Sequence, residues 1–279
     1  MKKIDLHTHT TASDGIYAPE KLIDMAIENN LIALAITDHD AIDGLQSAVN
    51  YAQNINIKFI PGIEFSVDYD MGSFHLVGLG IKPDDEKIIA RTKKLQHSRD
   101  TRAKRIIEDL EKHDIHITIE EVLEESSSGS IGRPHLARVM VKHGYAKNIK
   151  DVFKDYLVKG KPGYAKKDRV KLDEAISLIR DSGGVPIIAH PISLGFKDFS
   201  DFENILKDFI DMGLAGIEVF SSMHKNNEVK EFQNIAKKYD LIISGGSDFH
   251  GDKNEIIGNY AENEPIPIDI LYGLEKHLR

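Results

Sequence analysis

The chain predicts an α/β fold: a distorted, largely parallel seven-stranded barrel with a helical insertion. Three observations carry this. Seven short apolar runs alternate with segments of helical spacing, six of the seven are interrupted by His, Asp or Glu, mostly at their C-terminal ends, and the alternation breaks between Lys87 and Lys171. Strand–helix alternation implies a mostly parallel sheet, and seven strands are enough to close it into a barrel.

In order, the runs at 4–7, 32–37, 58–65, 74–81, 185–189, 216–220 and 241–244 read as buried strands. Helical spacing recurs at 19–29, 44–54, 172–181, 202–212 and 228–239, with Pro19 at a tolerated first-turn position. Strands three and four are joined only by 68–73, too short for a crossover helix, so the barrel must be irregular. The interruption predicts a long charged helix over about 85–113, a Ser/Gly loop at 126–132, and shorter helices near 134–143 and 149–159. The expected division is a barrel of 1–86 and 171–279 and an insertion of 87–170.

A length of 279 residues suits one large α/β domain, alone or carrying an insertion. No apolar run approaches a membrane helix and no leader-like segment opens the chain, so a cytoplasmic protein without a membrane partner is expected. With no cysteine, any metal must be held by nitrogen and oxygen, which suits Mn, Fe, Zn or Mg. The net charge of −9 argues against binding long duplex nucleic acid. That charge is uneven: 91–170 holds 19 Lys and Arg against 12 Asp and Glu, a net of +7, and the remainder 17 against 33. An acidic body suits divalent cations, and a basic middle suits phosphate.

The ionisable residues fall at strand ends. His7 and His9 close the first run and share a face, because alternate strand residues do. Asp14 lies in the next loop, His39 follows strand two, Glu64 ends strand three, His75 lies near the start of strand four, His190 ends strand five, and Asp248 and His250 follow strand seven. In a parallel barrel that end is the active face. One catalytic zinc takes about three protein ligands, so these nine candidates point to two or three divalent ions, with a carboxylate such as Glu64 bridging a pair. Clustered divalent ions suit phosphate-ester hydrolysis. His97, His113, His116, His143 and His277 have no partner pattern and read as ordinary.

The order His7-Thr8-His9, Thr37-Asp38-His39, Gly62-Ile63-Glu64, His75, Ala189-His190-Pro191 and Ser247-Asp248-Phe249-His250 resembles the motif set of the polymerase and histidinol phosphatase (PHP) superfamily along the whole chain. The resemblance implies a distorted (β/α)7 TIM-like barrel with a trinuclear site, manganese being the foremost metal. Carried over residue by residue, it implies His7, His9, Glu64 and Asp248 on one metal, Glu64, His75 and His190 on a second, and Asp14, His39 and His250 on a third.

Within the insertion, Gly132-Arg133-Pro134-His135 and Gly160-Lys161-Pro162-Gly163-Tyr164 resemble the stand-alone branch, as does Ile217–His224 in the barrel. That branch includes nucleoside 3′,5′-bisphosphate phosphatases and small 5′→3′ exoribonucleases. It implies a small phosphorylated nucleotide or short oligonucleotide as substrate. Arg133, whose guanidinium matches phosphate bidentately, is the expected clamp. His135 is expected beside it as a catalytic group with Glu64 and Asp248, and Lys161 and His224 as further substrate contacts. Members often follow Ala-His-Pro with Gly-Arg, where this chain has Ile192 and Ser193, so another cation must take that role. The competing expectations are a histidinol-phosphate-type phosphatase, which the Gly-Arg-Pro-His segment argues against, and a non-catalytic metal-binding regulatory module.

Overall fold

The computed structural model describes residues 2–126, 131–166 and 168–278. Seven strands form one sheet in sequence order: β1 (Lys3–Asp5), β2 (Leu31–Ile36), β3 (Lys58–Val67), β4 (Phe74–Leu79), β5 (Val185–Ile188), β6 (Gly216–Ser221) and β7 (Ile242–Gly246). The ends meet: the Leu6 amide donates to Gly245 O at 3.1 Å and the Asp248 amide to His7 O at 3.0 Å. The sheet is therefore a nearly closed α/β barrel, as expected. All neighbouring pairs are parallel except those of β4, which runs antiparallel to both β3 and β5. This is the irregularity the short 68–73 connection demands. Reversal also places the start of β4, and with it His75, at the end of the barrel where the other strands finish.

The barrel helices are α1 (Pro19–Glu28), α2 (Leu45–Ala52), α7 (Leu172–Asp181), α8 (Phe199–Asp211), α9 (Asn226–Lys238) and α10 (Asp269–Glu275). Each buries one apolar stripe, such as Phe202, Leu206 and Phe209 of α8, against the sheet. At Gly246 β7 passes close to the chain just after β1: a Cβ there would lie 2.1 Å from that of His7.

Because β4 is reversed, the chain leaves it at the far end of the barrel. Helix α3 (Glu86–Glu111), 26 residues and so ~39 Å long, brings it back toward the site. Asp85 caps α3 by accepting from the amides of Lys87 and Ile88. Beyond it come α4 (Ile119–Ser126), α5 (Arg133–Lys142), α6 (Ile149–Val152) and a π-helical turn at Phe153–Leu157. The expected Ser/Gly loop falls partly outside the described residues, at 127–130, while Ser126 closes α4. Helix α4 and α10 were not anticipated, and the helix expected over 149–159 is split into α6 and the π turn.

Two hydrophobic cores result. One fills the barrel and includes Ile88 and Leu95 of α3. The other, built on Ala103, Ile106, Leu110, Leu136, Met140 and Leu157, belongs to the inserted segment. Among the described residues no helix is long and apolar enough to cross a membrane.

Candidate metal centre and adjoining cavity

All nine expected ligands converge at one end of the barrel. Glu64 is completely buried at the middle of the group. Its Oε1 lies 3.4 Å from His7 Nε2, 3.0 Å from His75 Nδ1 and 3.1 Å from His190 Nε2. Its Oε2 lies 2.7 Å from His39 Nδ1 and 3.4 Å from His9 Nε2. Asp248 Oδ1 approaches His9 Nε2 at 3.1 Å and His7 Nε2 at 3.4 Å, and Asp14 Oδ1 lies 3.4 Å from His250 Nε2.

Several of these atoms (His7 Nε2, His9 Nε2, Asp14 Oδ1, His39 Nδ1, Glu64 Oε2, His75 Nδ1 and Asp248 Oδ1) are buried without a hydrogen-bond partner among the described residues. Each such group costs about 1–3 kcal/mol if left unsatisfied. A fold that gathers this many is arranged to hold cations. Three sets have ligand atoms within 4.8 Å of one another: His7, His9, Glu64 and Asp248; His9, Asp14, His39 and His250; and His39, Glu64 and His75. The family-implied groupings differ in that His39 here joins Glu64 and His75, with His190 approaching the same carboxylate.

The outer hydrogen bonds set the imidazole tautomers. His7 Nδ1 donates to Glu218 Oε1 at 3.1 Å, and His250 Nδ1 donates to Asp248 O at 2.8 Å. His190 Nδ1 donates to Ser193 Oγ at 2.9 Å, because that hydroxyl spends its own proton on Ser73 O. With Nδ1 so engaged, the neutral form of each ring turns its Nε2 lone pair toward the cluster. Ser193, standing where the family resemblance led to an expectation of Arg, is thus occupied in orienting His190. Burial alone would raise the carboxyls of Asp14, Glu64 and Asp248, but the surrounding imidazoles outweigh it and hold all three well below the usual carboxylate range. Burial pulls His9 down to about 3 and His75 to about 4, whereas Asp14 and Asp248 overcome burial and lift His250 to about 10.

Four buried acids to which the sequence assigned no role surround the cluster, and three of them (Glu218, Asp38 and Asp5) brace segments that carry ligands. Glu218 also accepts from the His190 amide at 2.7 Å. Asp38 accepts from Thr10 N, Thr10 Oγ1 and Ser13 Oγ, fixing the loop between His9 and Asp14. Asp5 joins the first and last strands by accepting from the amides of His7, Ser247 and Gly258. Asp40, beside His39, pairs with Arg99 of α3.

A cavity of about 190 Å³ opens beside Asp14, His39 and His75, and its other wall carries Arg99, Arg102, Arg133, Arg169 and Phe153. Arg133 donates to Leu157 O at 3.3 Å, with its guanidinium 5.5 Å from the Phe153 ring centre. Arg102 is 5 % exposed, and its Nε and Nη1 have no partner among the described residues. Burial, with Arg133 and Arg99 close by, pulls it down to about 10.

The other expected substrate residues lie elsewhere. His135 is buried, and its Nδ1 accepts from the Gly132 amide at 3.0 Å to cap α5. His224 is buried against Phe232, with Nδ1 donating to Val219 O. Lys161 is exposed and outside the cavity lining.

The PHP domain model matches residues 5–181. The chain belongs to the PHP domain family. It is 35% identical over 283 residues to the 3′,5′-nucleoside bisphosphate phosphatase of Chromobacterium violaceum, a match covering 100% of this chain and 98% of that protein. The Escherichia coli 5′-3′ exoribonuclease Rnm is 34% identical over 88% of this chain and 84% of its own length. Among solved structures, an amidohydrolase from Chromobacterium violaceum with bound sulfate and no metal superposes with a TM-score of 0.87 at 33% identity, covering 99% of this chain and 96% of that one. The likeness to that structure thus extends over nearly the whole chain.

Proposed function

We propose that this PHP protein is a metal-dependent phosphoesterase for nucleotides carrying more than one phosphate group. It hydrolyses a nucleoside 3′,5′-bisphosphate or removes nucleotides from the 5′ end of a short oligonucleotide. The observation that supports this reading best is the arginine-walled cavity opening directly on Asp14, His39 and His75. Two phosphates need two sites, and here a cluster of cation ligands and a cluster of guanidinium groups share one opening.

His7, His9, Glu64 and Asp248 would hold one ion. A second and third would share Asp14, His39, His250, His75 and His190 around Glu64, with Mn the foremost metal and Fe, Zn or Mg alternatives. Such ions supply Lewis acidity and an ionised water near neutral pH. The chain's own part is positional. Glu64 and Asp248 bring opposite charge to the ions, and Glu218 and Ser193 fix imidazole orientation. Arg133, braced by Phe153 and Leu157, meets phosphate oxygens as a fork. His135 is pulled by burial to about 4 and so is neutral near pH 7, which leaves phosphate charge to the arginines. Its place is to hold the start of α5, and Arg133 with it. Lys161 and His224 are given no phosphate contact. The segment 87–170 supplies selection and the barrel supplies the ions.

A histidinol-phosphate-type substrate fits less well, because its amine would enter a cavity walled by like charge. The test is turnover by purified protein with added Mn of a 3′,5′-bisphosphate, AMP, histidinol phosphate, a 5′-phosphorylated oligonucleotide and an aryl phosphate. A kcat/KM for the bisphosphate or oligonucleotide at least tenfold above the aryl ester is expected. Equal rates overturn the two-phosphate reading, and no turnover with Mn, Fe or Zn overturns the esterase.

A further inference from the structure

The metal-facing wall of the cavity belongs to the barrel, and three of its arginines (Arg99, Arg102 and Arg133) sit on helices of the inserted segment. How far apart the two walls stand decides whether a substrate held by one reaches the other. Helix α3 bridges them: Ile88 and Leu95 pack in the barrel core, and Ala103, Ile106 and Leu110 pack in the second core. Its middle stretch, between the cores, carries Arg99.

Arg99 is 7 % exposed and pairs with the fully buried carboxylate of Asp40. Asp40 immediately follows His39 and has φ +48°, a left-handed conformation that costs a non-glycine residue energy and persists where surroundings hold it. Two bonds do so: its amide donates to Glu64 O at 2.9 Å, and its Oδ1 accepts from the Ser66 amide at 2.7 Å. One residue thus joins the tip of β2, the strand at and just after Glu64, and α3. Among the described residues, the side-chain links Lys87–Asp181, Arg91–Glu174 and Gln96–Asp43 from α3 to the barrel involve at least one exposed partner each. Exposed pairs contribute little. A buried pair is different, because removing one partner there costs far more than it does at the surface.

We propose that the Asp40–Arg99 pair is a positioning latch. It sets the arginine wall at a fixed distance from the His39–Glu64 side of the metal cluster, and Arg99 acts through Asp40 rather than as a phosphate ligand. The kinetic part rests on the two-phosphate reading above. The alternative is that Asp40 merely neutralises Arg99 and competes with substrate phosphate for it. The two predict opposite signs for one variant.

Asp40→Asn keeps an oxygen for the Ser66 amide and removes the charge. A latch predicts that kcat/KM for the 3′,5′-bisphosphate falls at least tenfold, mainly in kcat, since misplacement by about 1 Å costs rate steeply. Metal content and aryl phosphate hydrolysis stay within about twofold, and amide exchange over residues 95–103 quickens at least tenfold. A lower KM with kcat retained overturns the latch, as does loss of metal or unchanged exchange. Arg99→Gln breaks the same pair from the helix side, and its exchange is read if Asp40→Asn does not fold. Exchange also separates the two ideas: wild-type protein inert toward bisphosphates defeats the functional reading, while exchange still decides the latch.

Discussion

Glu64 is the residue on which the cluster turns, since both its oxygens face imidazoles and it belongs to two of the three ligand sets. Glu64→Ala should remove more than one metal equivalent and lower turnover at least a hundredfold, read by elemental analysis and kinetics. A full metal complement in that variant would disprove bridging. His135 offers a test free of metal. Its pKa is depressed to about 4, chiefly by burial, from an ordinary value near 6.5. Its contribution is therefore fully present above pH 6.5 and is lost as pH falls toward 4, when protonation of Nδ1 removes the acceptor of the Gly132 amide. Thermal melts of wild type should fall more steeply from pH 6.5 to 4 than those of His135→Gln; parallel slopes would remove His135 from the account. The nine ligand candidates were legible because His and Asp at strand ends have no packing reason to be there. The bracing roles of Glu218, Asp5 and Asp38 were not, although Asp38 and Glu218 stand inside quoted motif stretches, because such a role is defined by the partners and not by the spacing. Their partners, as with Asp5 and Ser247, lie far along the chain.

At the level of elements, the strand–helix alternation survived folding well, and the short 68–73 link foretold the one reversed strand. Its consequence for His75 was not readable, since it needs the direction of β4 as well as its location. The π turn at Phe153–Leu157 left no periodicity to detect. Its geometry is paired with Arg133, whose guanidinium reaches both Phe153 and Leu157 O. Gly246 supplies the element-scale prediction. An added Cβ would collide with the backbone and Cβ of His7, neither of which can swing aside. Gly246→Ala should cost about 1–3 kcal/mol of stability in denaturant titration and weaken metal retention by displacing His7. Unaltered stability and metal content would show that the β1–β7 seam is slack.

Over the whole molecule, the charge asymmetry of the sequence becomes a spatial one: acids gather at the barrel mouth and arginines overhang it. Arg102 carries a cost in this arrangement, its buried Nε and Nη1 having no hydrogen-bond partner among the described residues. Arg102→Met should therefore raise stability by ~1–3 kcal/mol in denaturant titration while raising KM for a bisphosphate at least tenfold. Inorganic phosphate should raise the Tm of wild type and not of the variant. Loss of stability in Arg102→Met would mean that the guanidinium is satisfied in solution. The basic bias of 91–170 was legible in composition. Which four arginines share a cavity was not, because Arg169 and Arg99 come together only through the return of the chain beside α3.

The seam between β1 and β7 also bears on how the protein comes into being. Asp5 and Ser247, 242 positions apart, are hydrogen-bonded, and His7 and His9 meet Asp248 and His250 just beyond them. A ribosome delivers the first two imidazoles long before the residues that complete their sites. Contacts of such span form late, after the loop between them has closed. The sets that need Asp248 or His250 are therefore completed only when the last strand arrives, whereas His39, Glu64 and His75 are all synthesised within the first 75 residues.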